Sequence, residues 1–308
     1  MALPREFTEL AREVNNWGRW GDDDELGTLN LITPEVVVRA AECVKRGESF
    51  PLGLPLHADG PQTGVMPGRI NPIHLMTQVN QRYGKEADAF HASDDAVVMG
   101  LQCATHWDAF SHVSYDGRVY NGFGDEVITA GGATRLSIDK VKTIVSRGVL
   151  LDVARAKGVE RLEAGYAITG ADLDVAADMA KLKVEAGDIV LIRTGHIQLL
   201  DAGDKRAYGY PSPGPGMDAV RWFRMHDVAA VASDTLTFEV MPGEMEGLFL
   251  PVHLLDLVEM GLIQGQNFHL EDLAADCASD GVYVFLLEAT PDPFVGAVGA
   301  PVQPVAVK

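Results

Sequence analysis

The stretch Leu101-Gln-Cys-Ala-Thr-His-Trp-Asp-Ala-Phe-Ser-His-Val-Ser-Tyr-Asp-Gly117 holds the densest set of reactive side chains in the sequence. His106 and Asp108 project to the same side of a strand or extended loop, because side chains alternate with a period of two. An imidazole and a carboxylate can then meet one cation. His112 keeps the same parity and can approach that cation as a proton carrier. Spacing alone leaves a second interpretation open, in which these groups only satisfy one another's hydrogen bonds.

A cation at this position would need further ligands. A divalent ion takes N and O donors at roughly 2.0 to 2.2 Å, and a catalytic ion keeps one position open for water. Gln102 has the same parity as His106 and is one candidate donor. Cys103 could be proposed as a nucleophile, but a lone Cys beside a strand is more often a small buried hydrophobe.

The same stretch resembles the signature of the metal-dependent cyclase-like hydrolase family, which includes bacterial kynurenine formamidase and isatin hydrolase. The family pattern is His-x-Gly-Thr-His-x-Asp-x-Pro-x-His, and residues 102–112 match its Thr, its second His, its Asp and its last His. The departures are Gln102 for the first His, Ala104 for Gly and Phe110 for Pro. The resemblance covers most of the chain and is closest to the longer members. It includes three more segments, Asn16 to Gly21, Arg118 to Gly122 and Gly296 to Pro301.

This resemblance implies further metal ligands. In the formamidases a later His and a following Glu complete the site, and the best local match is His253 with Gln266. Because a neutral amide binds a hard cation more weakly than a carboxylate, the family's two-ion site is in doubt. We expect one divalent ion, Mn²⁺ or Zn²⁺, with a vacant position. The expected ligands are His106, Asp108 and His253, with help from Gln102 and Gln266. Glu271 is an alternative ligand, although a helix-capping role suits its position better.

Substrate-binding residues are predicted on weaker grounds. Trp17 and Trp20 resemble the family's N-terminal aromatic residue that lines the substrate pocket, with core packing as the alternative. Arg193 ends an apolar run and could hold a substrate carboxylate, with an internal salt bridge as the alternative. Asp234 and Glu239 also follow a strand, where acidic residues most often serve turns or caps.

The composition excludes several classes of partner. The 308 residues include 44 Asp and Glu against 25 Lys and Arg, for a formal net charge of −19. Nucleic acid and anionic membrane surfaces require clustered Lys and Arg, which are absent from this sequence. Three scattered cysteines form neither a disulfide framework nor a Cys-x-x-Cys zinc site, so we expect a reducing cytoplasm. No apolar run approaches the length of a membrane span, and residues 1–10 lack the apolar region of a signal peptide.

The pattern of elements predicts a mixed α/β fold. Short apolar runs bounded by turn residues indicate buried strands at 97–101, 148–152, 188–193, 228–233 and 281–287. Capping signals indicate helices at 36–45, 171–181, 215–226 and 252–260. No GxGxxG follows a strand and no GxxxxGK[ST] occurs, which argues against nucleotide chemistry. We expect one domain over residues 1–308, with residues 1–45 packed on it as an N-terminal extension. The resemblance implies a central β-barrel-like mixed sheet flanked by helices.

The function expected from these features is metal-dependent hydrolysis of a C–N amide bond, in an aryl formamide or a cyclic amide or imide, or of a related lactone. His112 would move a proton between the attacking water and the leaving group. One alternative is metal-assisted cyclisation or dehydration, and another is a non-catalytic small-molecule binding protein. The resemblance also implies a homo-oligomer, a dimer or a tetramer, acting on a small-molecule substrate.

Overall fold

A computed structural model describes residues 3–86 and 89–308. The strands, in chain order, are β1 (Ser49–Pro51), β2 (Ile73–Tyr83), β3 (Phe90–Val98), β4 (His106–Asp108), β5 (Ile128–Thr129), β6 (Gly132–Ala133), β7 (Val145–Asp152), β8 (Ala167–Ile168), β9 (Ile189–Arg193), β10 (Gly214–Pro215), β11 (Ala230–Ser233), β12 (Ile263–Gln266), β13 (Val284–Glu288), β14 (Gly299–Pro301) and β15 (Val305–Val307). The helices are α1 (Arg5–Val14), α2 (Pro34–Ala41), α3 (Val153–Ala156), α4 (Gly170–Met179), α5 (Gln198–Asp201), α6 (Lys205–Gly209), α7 (Met217–Met225), α8 (Pro251–His253) and α9 (Glu271–Asp280). A π-helical segment, Leu254–Met260, continues α8.

One nine-stranded mixed sheet organises the molecule, in the order β1-β15-β13-β7-β9-β11-β12-β4-β14. The central strands β7, β9, β11 and β12 are parallel, and every pairing outside them is antiparallel. The sheet is curled and stays open between β1 and β14, which makes it a half-barrel flanked by helices. The predicted α/β class with a barrel-like mixed sheet is confirmed.

Both faces of the central strands are buried. Along β9, Ile189 and Leu191 pack in one hydrophobic core, whereas Val190 and Ile192 pack in a second core on the opposite face. This is the expected result of the two-residue period in a strand covered on both sides. Helix α1 adds Phe7 to the second core. Each such side chain contributes about 1.5–3 kcal/mol on burial, so the central strands form a rigid base for the polar residues at the sheet's edge.

Most predicted elements are present, with one clear error. The runs at 148–152, 188–193, 228–233 and 281–287 lie on β7, β9, β11 and β13. The buried strand predicted at 97–101 is wrong, because β3 ends at Val98 and pairs with β2 in a separate, exposed hairpin. Apolar runs look alike in a core and in an exposed hairpin, so the sequence pattern could not separate the two.

Helix ends follow the predicted capping chemistry. The Thr33 hydroxyl accepts a hydrogen bond from the Val36 N–H before α2, and Thr169 and Asp172 form a capping box at α4. The π-helical segment after α8 stops at Gly261, whose φ of 64° suits a glycine. Within residues 3–86 and 89–308, every helix is too short or too polar to cross a bilayer.

Candidate metal centre

Two neighbouring antiparallel strands bring the candidate residues together. In the register of β4 and β12, Gln266 lies opposite His106, and Gln264 lies opposite Asp108. Because side chains alternate along both strands, these four polar residues share one face. On the other face the fully buried Trp107 packs edge-on against a Phe ring, with the ring centroids 5.2 Å apart. Core packing therefore fixes the strands that carry the polar side chains.

Asp108 lies at the centre of a polar cluster. Its Oδ1 is 3.4 Å from His106 Nε2 and 3.7 Å from His112 Nε2. Its Oδ2 accepts a hydrogen bond of 2.5 Å from Gln266 Nε2 and lies 4.0 Å from His253 Nε2. The polar cluster consists of His106, Asp108, His112, His253, Gln264 and Gln266. The fold thus brings together His106, Asp108, His112, His253 and Gln266 from the sequence prediction.

The two fully buried imidazoles are oriented by hydrogen bonds at Nδ1. His106 Nδ1 lies 2.7 Å from the Ala104 carbonyl oxygen, and His253 Nδ1 lies 2.5 Å from Glu239 Oε1. Each Nδ1 therefore carries the proton and donates it, which leaves a lone pair on Nε2 facing the cluster. Metal-binding histidines typically have this arrangement, in which a carboxylate or carbonyl fixes the tautomer.

The cluster contains buried acceptors that have no donor. Among the described residues, no hydrogen-bond partner contacts His106 Nε2, Asp108 Oδ1, Gln264 Oε1 or Gln266 Oε1. Buried polar atoms are normally satisfied, and these four lone-pair atoms, one of which is an oxygen of the Asp108 carboxylate itself, leave a place that suits a cation. The donor set therefore fits a divalent ion. The amides are essential to this fit, because no group of three His, Cys, Asp or Glu within the described ranges is arranged to hold a metal.

Burial and charge set the protonation states at this site. Burial raises the pKa of Asp108, but the imidazoles of His112 and His106 outweigh it and hold that pKa well below its usual range. Burial lowers the pKa of His112 to about 4, against the attraction of Asp108. Near neutral pH the site thus combines an ionised carboxylate with a neutral imidazole that can accept a proton.

His112 is the cluster member nearest to solvent. Its side chain is 19% exposed, whereas those of His106 and Asp108 are fully buried. The Arg69 guanidinium also contacts this imidazole, with Nη2 at 3.4 Å from His112 Nε2, the nitrogen that faces Asp108.

Several predicted residues lie elsewhere. Gln102 packs against Gly299, where an added Cβ would lie 2.7 Å from its Nε2, and it makes no hydrogen bond to the cluster in the part of the chain described. Trp17 donates from Nε1 to the Val258 carbonyl oxygen at 2.7 Å, and Trp20 lies beside the Arg19 guanidinium. These placements lend no direct support to a metal role for Gln102 or a pocket role for the two Trp residues.

Arg193 forms an internal ion-pair network. Its guanidinium donates to both Glu271 carboxylate oxygens at 2.8 Å and to Asp152 Oδ1 at 2.9 Å. These contacts favour the internal salt bridge, the alternative given for Arg193, over the binding of a substrate carboxylate. They also engage both carboxylate oxygens of Glu271, which favours a structural role for that residue over the role of an alternative metal ligand.

Three residues of the site were missed as functional residues. Gln264 could have been found from Ile263-Gln-Gly-Gln266, where two amides alternate in an otherwise apolar strand. Glu239 had been assigned a turn or cap role, yet it fixes His253 across a long loop. Arg69 comes from a Gly- and Pro-rich loop that carries no motif. Cys103 is buried, and burial raises the pKa of its thiol, which fits its interpretation as a small hydrophobe.

Comparison with known proteins identifies the family. The sequence profile of the Cyclase family matches residues 24–240. A solved structure described as a novel cyclase is 39% identical, with a TM-score of 0.88 over 97% of this chain and 99% of that one. No curated protein matches the chain.

More distant structures share the fold. Isatin hydrolase A from Labrenzia aggregata is 20% identical, with a TM-score of 0.63 over 87% of this chain and 94% of that one. A predicted metal-dependent hydrolase from Bacillus stearothermophilus is 18% identical, with a TM-score of 0.53 over 85% of this chain and 98% of that one. The profile match and the 39% identical structure show that the chain belongs to the Cyclase family of cyclase-like hydrolases, the family that its signature resembles.

Proposed function

We propose that this protein is a metal-dependent hydrolase that cleaves a C–N amide bond, in an aryl formamide or a cyclic amide or imide, or a related lactone. One observation carries the proposal: the buried polar cluster around the ionised Asp108 contains four acceptor atoms without a donor, one of them Asp108 Oδ1 itself, next to the neutral and partly exposed His112. Isatin hydrolases and a metal-dependent hydrolase among the fold's solved structures support this class of reaction.

The proposed cofactor is one divalent ion, Mn²⁺ or Zn²⁺. His106 Nε2, His253 Nε2 and the Asp108 carboxylate would hold it only together with an amide oxygen of Gln264 or Gln266, because the three groups are not arranged to hold a metal by themselves. Gln266 now presents its amide nitrogen to Asp108, and rotation about its last bond exchanges nitrogen for oxygen. When bound, such an ion would polarise the scissile carbonyl and lower the pKa of a water molecule.

The chain's own residues would orient the substrate and move the proton. His112 Nε2 would accept the proton of the attacking water and return it to the leaving nitrogen or oxygen, a role worth roughly 10²–10⁴ in rate. Glu239 would keep His253 in the tautomer that faces the cluster. Arg69 would donate hydrogen bonds to an oxygen of the substrate beside His112.

A hydrolysis panel tests this function. Aryl formamides, cyclic imides, isatin-like lactams and lactones are incubated with the enzyme in Mn²⁺, in Zn²⁺ and after metal removal by a chelator. We expect hydrolysis of at least one class that disappears with the metal and returns when it is restored. His112→Ala should reduce turnover by about 10²–10⁴-fold while metal binding is kept, and the exposed His57→Ala is the matched control. Full activity in stripped enzyme, or in His112→Ala, contradicts the proposal.

A non-catalytic binding protein is the second candidate. This candidate is favoured by Gln266, whose amide nitrogen donates a hydrogen bond to Asp108 Oδ2. The resemblance implies a Glu ligand at the position of Gln266. In that case neither Mn²⁺ nor Zn²⁺ shifts the thermal unfolding midpoint, and no substrate of the panel turns over. A metal-assisted dehydration would instead show a product lighter than its substrate by one water.

The cysteines and the site residues support a proposal for the cellular compartment and for the class of substrate. Cys43, Cys103 and Cys277 are all free thiols, which supports a reducing compartment such as the cytoplasm. The site's small donor set suits a small-molecule substrate.

A further inference from the structure

A cavity outside the polar cluster lies beyond the carboxyl end of β9. Its volume is about 540 Å³, within the range of roughly 300–1,000 Å³ that is typical of small-molecule sites. Its lining comes from residues 161–164 and 196–211, and His196 lies three residues after the end of β9. Open α/β sheets commonly bind ligands outside the carboxyl ends of their parallel strands. The cavity is therefore a candidate second binding site.

The walls of this cavity are held in place by close contacts. An added Cβ on Gly195, whose φ is 75°, would lie 2.5 Å from the Glu160 carbonyl oxygen, so the two lining segments pack tightly where they meet. The His196 and Tyr208 rings stack with their centroids 5.7 Å apart, and the Tyr208 hydroxyl donates to Asn267 Oδ1 at 2.7 Å. A ligand would thus bind without having to order these walls, which favours affinity.

Two arginine side chains of the lining are available to bind an anion. Arg161 comes from one lining segment and Arg206 from the other. Within residues 3–86 and 89–308, neither guanidinium has an ion-pair or hydrogen-bond partner, although the chain carries 44 acidic residues. Guanidinium groups bind carboxylates through paired, charge-assisted hydrogen bonds. The two arginines therefore favour a ligand that carries a carboxylate.

The imidazole of His196 favours a ligand that also carries a hydrogen-bond donor. His196 Nε2 lies 3.1 Å from the Tyr208 carbonyl oxygen, so Nε2 carries the proton and Nδ1 keeps a lone pair. Burial lowers the pKa of His196 to about 4, which leaves the ring neutral near pH 7. The residue is 1% exposed, and its Nδ1 has no partner in the described part of the chain. Buried acceptors are normally satisfied, and a donor on a molecule bound in the cavity would satisfy this one.

We propose that the cavity binds a small amino carboxylate with an apolar body. The two guanidinium groups would hold its carboxylate, while His196 Nδ1 and the Glu163 carboxylate would accept hydrogen bonds from its amino group. The Tyr210 ring, in a residue 57% exposed, and Leu199 would contact its apolar body. The proposal does not depend on the proposed hydrolase activity, because the described lining of the cavity contains no member of the polar cluster.

Calorimetric titration of the full chain with phenylalanine and with leucine tests the site. We expect at least one of them to bind with a stoichiometry of one. Hydrocinnamate and phenethylamine, which lack the amino group and the carboxylate of phenylalanine, should bind roughly 10-fold more weakly or worse. Isocaproate and isoamylamine are the matching comparisons for leucine.

Variants of the two arginines assign the binding to this cavity. Arg161→Gln and Arg206→Gln should each weaken binding by roughly 10–100-fold, the usual effect of losing a charge-assisted hydrogen bond. Arg5→Gln is the matched control, because the Arg5 side chain is 89% exposed on α1, and it should bind like the wild type. Failure of both amino acids to bind the wild type, or unchanged affinity in both cavity variants, overturns the proposal.

Hydrogen exchange locates the bound amino acid independently of the variants. At saturation, amides of residues 161–164 and 196–211 should exchange more slowly than in the free protein, while those of residues 106–112 should be unchanged. Slower exchange at residues 106–112 alone would place the amino acid at the polar cluster, and it too overturns the proposal. These measurements need no turnover, so a hydrolysis panel without activity would leave their result standing.

Discussion

At the scale of single residues, the role of Asp108 depends on the atoms around it more than on its own acidity. The Nε2 atoms of His106 and His253 and the amide groups of Gln264 and Gln266 surround a carboxylate whose pKa is held below its usual range. The imidazoles of His106 and His253 are each held in one tautomer by a partner at Nδ1. The consequence is that residues which never touch a bound ion should still control its affinity.

Glu239 is the clearest case of such a positioning residue. Its Oε1 accepts hydrogen bonds from both Nδ1 and the backbone N–H of His253. Glu239→Ala should weaken Mn²⁺ or Zn²⁺ binding by about 10–100-fold, measured by calorimetric titration of the metal-free protein. Glu239→Gln should restore part of the affinity because its amide oxygen can still accept from Nδ1. Glu246→Ala, at an exposed site of the same loop, should bind metal like the wild type. Equal affinities in Glu239→Ala and Glu246→Ala would show that the contact is only structural.

The limits of the sequence prediction are visible at this scale. The two-residue period places His106 and Asp108 on one side, and the resemblance supplies His253 and Gln266. No local pattern reveals Glu239, which acts on a residue 14 positions away. The sequence left Arg193 open between a substrate contact and an internal salt bridge, because its partners lie 41 and 78 positions away in the chain. Contacts with distant segments of the chain determine the role of a polar residue. The local spacing of residues does not reveal such contacts.

At the scale of elements, the packing of β4 and β12 in the core sets the geometry of the polar cluster that these strands carry. Trp107 and Gly265 lie opposite each other on the buried face, behind the polar cluster. The absence of a side chain at position 265 allows close packing, since an added Cβ would lie 2.7 Å from Phe268 and 2.8 Å from Trp107. The spacing of β4 and β12 beneath the polar cluster therefore depends on this glycine.

Gly265→Ala tests this link between packing and the site. The extra methyl group should lower the free energy of unfolding by about 1–3 kcal/mol, the usual effect of overpacking a core. The measurement is urea denaturation followed by circular dichroism. Gly131→Ala is the control, because the nearest atom to its added Cβ is 3.6 Å away, and its stability should match the wild type. No loss of stability in Gly265→Ala would mean that the two strands can move apart freely.

Element prediction succeeded where burial and pattern agree. β7, β9 and β11 are apolar, bounded by turns and buried on both faces, which is what their sequence pattern indicates. The error at residues 97–101 arose because Val97 and Val98 are apolar and lie at the end of the exposed β2–β3 hairpin. An apolar strand in an exposed hairpin has the same sequence pattern as a core strand, and only the three-dimensional arrangement separates them.

At the scale of the whole molecule, the net charge and the site have separate roles. A charge of −19 is expected to repel polyanionic partners and to keep the surface solvated. Inside, the polar cluster contains one carboxylate, Asp108, beside the amides of Gln264 and Gln266, and Gln266 takes the position where the resemblance implies a Glu. The chain is thus an acidic member of the Cyclase family, and the metal site that we propose for it has few charges and relies on imidazole and amide ligands.

Metal stoichiometry is the measurement that tests this account most directly. The metal-free protein is titrated with Mn²⁺ and with Zn²⁺, and the metal retained after gel filtration is measured by mass spectrometry. We predict one equivalent of ion for each wild-type chain, less than a tenth of an equivalent for Asp108→Asn, and a full equivalent for the exposed control Asp22→Asn. An Asp108→Asn variant that retains as much metal as the wild type, or a wild type that retains none, would contradict the account.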